Sequence, residues 1–468
     1  MIRKEHKPDM QEIKAKISDI LEKLTSETFF YYYIVFVMIS LPVTEIFDGR
    51  HSQVFASQPI IVEMAGFLGG FLFIVHFIKH RHIKYYPSDL FCILLFVFAL
   101  LSAFFTQNYS ATSFGFYYDE WLSNFVGYFG LMFAGTMIHD KQLRKNILKA
   151  FVAVTVIQTA VATLQTFGIR ITSCYWFTDE IYSSNLAYGL TQYTNWYGGL
   201  SVLLFACTAG IFLFTSNKIT RNILYAISML CFYTLISAEA RLAWVGSFAF
   251  LVFMIVSMIV MRHKGYDKEK LRSMQKRFLV LLAGMAVVII ICIVFFGRII
   301  TRINRITNEL DSNFEDFGSG RGAIWRQGLK MYPKYWAFGI GLDNFRDVYF
   351  LDPDFHGDEA VTSGKAHNEY LQYLVTQGIF QFITYISLLI YTAIAAVRNV
   401  IHNEDNEERF INWILLGMFI GYSAKAFFDC NIVNILPYYW ITIGMLLTKK
   451  SQRYFGYHKK NKVIADKK

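Results

Sequence analysis

The sequence predicts an all-α integral membrane protein with about 12 transmembrane helices and both termini in the cytoplasm. Three observations carry this expectation. Apolar runs of spanning length recur along the 468 residues, Lys and Arg fall unevenly between the connections, and one polar connection is far longer than the others. Apolar residues make up 54% of the chain and charged residues only 17%, which overrides the two or three soluble domains that length alone would suggest.

The runs lie near residues 28–47, 60–78, 90–106, 121–138, 147–168, 196–215, 222–239, 242–261, 278–297, 378–397, 410–428 and 435–448. Each approaches the ~20 residues that carry a helix across the hydrocarbon core. The last is short and contains Pro437. Residues 1–27 are polar and precede a run of spanning length, so no cleavable signal peptide is expected. Ile13, Ile17, Ile20, Leu21 and Leu24 recur at a helical period there, with charges on the other face. That pattern predicts an amphipathic helix on the inner leaflet.

Charge sets the orientation. With the N-terminus inside, the cytoplasmic segments hold 31 Lys and Arg and the outer connections 12, nine of them in the single loop 298–377. The short outer loop QNYSATSFGFYYDE holds none. The net charge of +10 is therefore mostly the positive-inside signature, not a nucleic-acid footprint. The chain divides into a cytoplasmic amphipathic segment (1–27), helices 1–9 (28–297), an extracytoplasmic loop between helices 9 and 10 (298–377), helices 10–12 (378–448) and a basic cytoplasmic tail (449–468). Cys92, Cys207, Cys231 and Cys292 fall within spans, whereas Cys174 and Cys430 fall in outer loops where a disulfide between them is conceivable. No cysteine or histidine spacing resembles a metal site.

About 80 residues between two spans exceeds an ordinary connection and marks a functional loop or small subdomain. SGRGAIWRQGLKMYPKYW reads as a helix with Ile324, Trp325 and Leu329 on one face and Pro333 ending it. Gly339 and Gly341 in FGIGLDNF signal a turn, and LDPDFHGDEA reads as a lid or surface loop. KAHNEYLQYLVTQG closes the loop and leads into the next span.

Within this frame a few polar residues stand out. His367 sits where a helix should begin, and the positive dipole end favours the neutral imidazole that a general base requires. The alternative for His367 is an interfacial cap. Arg241 in TLISAEARLAWVG stands between two spans joined by a short turn, where a guanidinium is costly without an anionic partner or ligand; snorkelling or a pair with Glu239 is the plainer reading. Arg321 is flanked by glycines that allow close approach of a ligand. Lys425 and Asp429, four apart, share a helix face and can simply pair. Asn195 and Trp196 sit at the outer start of the sixth span, where an aromatic interface anchor is the plainer reading. Arginines clamp phosphates and aromatic faces stack on sugars, so the outer face points to a phosphate-bearing, membrane-dissolved substrate.

The ordered set SAEARLAW, GRGAIWRQGLKMYPKYWAFGIGLDNF and AHNEYLQYLVTQG, spanning roughly residues 235–400, resembles the O-antigen ligase and O-antigen polymerase family. The resemblance implies a GT-C-like, metal-independent glycosyltransferase without a cofactor. It would take a glycan from undecaprenyl diphosphate and pass it to an acceptor glycan or glycolipid at the extracytoplasmic face of the cytoplasmic membrane. It places Arg241 and Arg321 on the donor diphosphate and His367 in catalysis. Beside the histidine, Asn368 and Glu369 are candidates to orient the ring or contact sugar hydroxyls, with Trp325 and Lys365 in support. A polymerase extending O-antigen, capsule or teichoic-type chains on the lipid carrier shares the same motifs. A lipid-linked-oligosaccharide flippase would need polar residues lining many spans and has no need of a large one-sided loop. A purely structural membrane protein leaves the outer arginines and the histidine unexplained.

Overall fold

The computed structural model describes residues 10–48, 57–80, 86–109, 121–172, 185–264, 266–296, 314–348, 363–430 and 432–449, with the isolated positions 112, 307, 354 and 452. Among them every extended element is helical and no strand occurs. The protein is an all-α integral membrane protein. Among the described residues ten helices are long and apolar enough to cross a membrane: α2 (Glu27–Asp48), α3 (Gln58–His80), α4 (Pro87–Phe104), α6 (Lys141–Thr166), α7 (Thr194–Phe214), α8 (Lys218–Ser237), α9 (Arg241–His263), α10 (Lys268–Phe296), α12 (Glu369–His402) and α13 (Asn406–Lys425).

The other two expected spans are helices too short for that criterion: α5 (Leu122–Thr136) and α14 (Leu436–Leu446). Their sequences are apolar because protein surrounds them. All eleven residues of α14 are buried, and a Cβ on Gly444 would stand 2.2 Å from the Met132 carbonyl oxygen of α5. Only glycine permits that approach. α7 and α13 are the most enclosed of the long helices, while α3 and α10 lie outermost with rows of exposed Ile, Val and Phe, the surface a bilayer requires.

α1 (Met10–Leu24) has no buried residue and keeps Ile13, Ile17 and Ile20 exposed along its apolar face. At the end of the bundle where α6 and α13 begin, ion pairs lace the helices together. Arg144 bonds Glu408, Asn412 Oδ1 at 3.0 Å and the Met445 carbonyl at 3.0 Å, and Lys141 pairs with Asp405 at 2.8 Å. Lys449 folds back on Asp89 at 3.1 Å.

The opposite end carries the long connection. α11 (Phe317–Tyr335) starts through Gly318, Ser319 and Gly320, all at positive φ, and runs two residues past Pro333. It buries Gly322, Gln327, Gly328 and Met331. Leu329, expected on one face with Ile324 and Trp325, is 55% exposed, because the docked face is centred on Met331 and packs against Ile340, Phe345 and Val375. The following turn, with Gly339 and Gly341 at φ 74° and 102°, is strapped to α12: the Ile340 and Gly341 amides donate to the Val375 and Thr376 carbonyls at 3.1 and 2.9 Å. α12 begins at Glu369, nine residues before the expected span, and breaks at Gly378 with φ 81° and ψ 179°. A Cβ there would meet the Ala337 carbonyl oxygen at 2.2 Å, so the helix opens to admit the loop. The acidic stretch from Leu351 lies outside the described residues apart from Asp354, as do Cys174, His51, His356 and most of the tail.

Candidate active site

Three chain segments converge above the ends of α9, α12 and α13. Arg241 is the first residue of α9, and its Nη2 donates to Ser319 Oγ at 2.5 Å. Ser319 is the middle of the left-handed Gly-Ser-Gly arch, and the arch delivers Arg321 to the same place. The two guanidinium groups are near enough for the Arg241 charge to act on Arg321. Like charges gathered in this way are costly unless an anion joins them.

His367 is held from both sides. The Trp325 indole N–H donates to the Ala366 carbonyl at 3.0 Å, and the Ala366 amide donates to Gln372 Oε1 at 2.7 Å. On the other side Asn368 is the N-cap of α12, its Oδ1 accepting from the Leu371 amide at 3.1 Å. Between these anchors His367 adopts φ 47°. A non-glycine residue in the left-handed region persists only where its surroundings over-determine it, and such residues cluster at functional sites.

The electrostatics follow from burial and neighbouring cations. His367 is partly exposed, but enough protein crowds the ring that burial is the first cause of its lowered pKa, about 4. The Arg321 and Lys365 charges push the same way against the Asp429 carboxylate. The imidazole is therefore neutral at physiological pH. Burial also lowers Arg321 from its usual value, opposed chiefly by Asp429. Asp429 is thus the anion common to Arg321 and His367. It is buried and hydrogen-bonded to Lys425, whose ammonium lies 4.1 Å from the centre of the Tyr422 ring. Lys365 is fully buried, its carbonyl accepting from Ser363 Oγ at 2.7 Å.

The structure brings Arg241, Arg321, Trp325, Lys365, His367 and Asn368 to one end of the bundle. Glu369 turns inward: its carboxylate is wholly buried and accepts from the Tyr385 and Tyr422 hydroxyls. It anchors α12 to its neighbours and is not open to a sugar. Asn368 spends its Oδ1 on the cap. Sequence reasoning missed the reach of Asp429 to both Arg321 and His367, and it missed Ser319 altogether. Among the described residues no group of three or more His, Cys, Asp or Glu is placed to hold a metal ion.

A helical bundle of this kind, with two arginines and a neutral histidine gathered at one end, fits a multi-pass membrane protein. Residues 226–386 match the family model described as O-antigen ligase. The match covers about a third of the chain, so the likeness to the O-antigen ligase family is that of one domain. The matched segment runs from α8 into α12 and contains Arg241, Arg321, Trp325, Lys365 and His367, whereas Lys425 and Asp429 lie beyond it. No curated protein gives a significant match to the chain.

Proposed function

We propose that the protein transfers a glycan from undecaprenyl diphosphate to an acceptor glycan or glycolipid at the outer face of the cytoplasmic membrane, as an O-antigen ligase-type enzyme. The observation that carries this reading is the convergence of Arg241, Arg321 and His367 at one end of the bundle, opposite the end laced by Arg144 and Lys141. The excess of Lys and Arg in the expected inner segments supports the outward orientation of the site.

In this mechanism Arg241 and Arg321 hold the donor diphosphate. The acceptor hydroxyl oxygen bonds to the anomeric carbon as the bond from that carbon to the phosphate oxygen breaks. The leaving lipid diphosphate keeps the electron pair, and fixed guanidinium groups stabilise the charge it develops. The hydroxyl proton passes to His367. Burial is the first cause of the lowered His367 pKa and the Arg321 charge the second; a donor dianion on the arginines offsets that second part and makes the imidazole a stronger base. The Trp325 ring packs near Phe428 and Phe317, which fixes the indole that bonds the Ala366 carbonyl beside His367.

Deleting the gene and complementing it with wild type or with Arg321→Ala tests this reading. Loss of the acceptor-linked glycan with build-up of full-length lipid-linked polymer supports transfer to an acceptor. Build-up of single lipid-linked repeat units assigns chain extension instead. Unchanged lipid-linked pools refute both.

A further inference from the structure

At the end of the bundle away from the candidate active site, α9, α12 and α13 part around a cavity of about 470 Å³. Its wall is apolar, built by Val256, Val260, Val397 and Leu416 among others. Val256, Val260 and Val397 are also exposed on the outer surface of the bundle, so the groove opens toward the hydrocarbon of a bilayer. The polar part of the lining is basic. Lys264 caps the C-terminus of α9 and is exposed, and Arg409 lies in the first turn of α13.

Among the described residues neither of these cations forms an ion pair with a carboxylate. Arg409 donates to the Asn403 carbonyl at 2.5 and 3.1 Å and to Asn406 Oδ1 at 3.2 Å, with its guanidinium 5.8 Å from the centre of the Tyr266 ring. The nearby Asp267 accepts from the Glu269 and Lys270 amides at 2.9 and 3.2 Å, capping α10. A second, independent feature points to a ligand. Two other lining residues, Tyr266 and Trp413, carry a hydroxyl and an indole N–H that are buried without any hydrogen-bond partner, and such donors are rarely left orphaned.

We propose that this groove binds an anionic phospholipid, one acyl chain lying along the valine wall and the phosphate resting on Lys264 and Arg409. Basic pockets between membrane helices at the cytoplasmic side suit such headgroups, and the Lys and Arg distribution places this end in the cytoplasm. The apolar wall distinguishes a lipid from a soluble anion, which would use only the two cations.

Native mass spectrometry of the full chain in detergent, titrated with phosphatidylglycerol or phosphatidylcholine of matched acyl chains, tests the proposal. One or more phosphatidylglycerol molecules should bind in preference to phosphatidylcholine, and inorganic phosphate should not displace them. Lys264→Gln, at an exposed position, should weaken phosphatidylglycerol by about fivefold, the factor for one basic residue at an anionic leaflet. Val260→Trp, which fills the groove from its exposed side, should weaken both lipids. Equal binding of the two lipids by the wild type, displacement by phosphate, or unchanged phosphatidylglycerol affinity in either variant would overturn it.

Discussion

The Trp325 indole donates a 3.0 Å hydrogen bond to the carbonyl of Ala366, the residue immediately before His367. One bond thereby joins the helix that carries Arg321 to the turn that carries the histidine. Trp325→Phe keeps an aromatic ring, though a smaller one, and removes the bond. Transfer should fall by about tenfold to a hundredfold in kcat, the scale of a small misplacement of a catalytic group, with donor affinity nearly unchanged. An equal loss in donor affinity and kcat would show that Trp325 contacts substrate and does not merely position His367.

Arg241 and Arg321 stand at the mouth of the site with their charges near one another. Arg321→Lys should recover only part of the activity lost in Arg321→Ala, because an ammonium cannot supply the planar two-pronged contact to a phosphate. Removing one such donor should cost about 10²–10³ in kcat. With guanidinium groups doing this work, transfer should survive chelation of divalent metals. Full activity of both alanine variants at normal protein levels would remove the arginines from the site.

The pH dependence follows from the lowered pKa of His367, about 4 in the folded protein against roughly 6.5 when unfolded. Between those values the unfolded chain binds more protons, so stability rises with pH through that window. The contribution is complete above about pH 6.5 and is lost as pH falls toward 4. Thermal unfolding in detergent across that range should lose this slope in His367→Gln. Because bound diphosphate offsets the neighbouring positive charge, the acid limb of kcat should lie at higher pH than that of kcat/KM. Coincident limbs would contradict charge coupling between donor and histidine.

Lys425 and Asp429 form a buried pair beneath the arginines. Lys425→Met alone leaves the Asp429 carboxylate without its hydrogen-bonded cation and should cost about 3–5 kcal/mol, whereas Lys425→Met with Asp429→Leu should recover much of that loss. Unfolding temperatures of the two single variants and the double variant measure the coupling. Additive losses would show that the pair does not act as a unit.

The long helices were legible because the bilayer imposes a local rule: about twenty apolar residues, with no partner needed to make sense of them. The two exceptions prove instructive. α5 and α14 are apolar for contact with each other through Gly444 and the Met132 backbone, and composition cannot distinguish a protein neighbour from lipid. The turn at Gly339 and Gly341 could be read from its glycines, but its docking on Val375 and Thr376 could not. That contact joins residues about 35 apart in sequence, and the signal, the lone Gly378 inside a helix, has many possible meanings. Lys425 and Asp429 were readable as a pair from their spacing of four. The effect of Asp429 on Arg321 and His367 depends on three distant segments meeting, which no local pattern encodes. Glu369 illustrates the reverse error: adjacent in sequence to the site, it faces Tyr385 and Tyr422 within the bundle.

The central claim is that His367 performs proton transfer beside an arginine-bound lipid diphosphate. It is tested most directly by glycan transfer from a lipid-diphosphate-linked donor to an acceptor, catalysed by purified wild type and His367→Ala, with donor binding measured on the same preparations. Catalysis by His367 predicts that transfer falls by about 10²–10⁴-fold while donor binding is kept within a few-fold. Transfer at the wild-type rate by His367→Ala would contradict it.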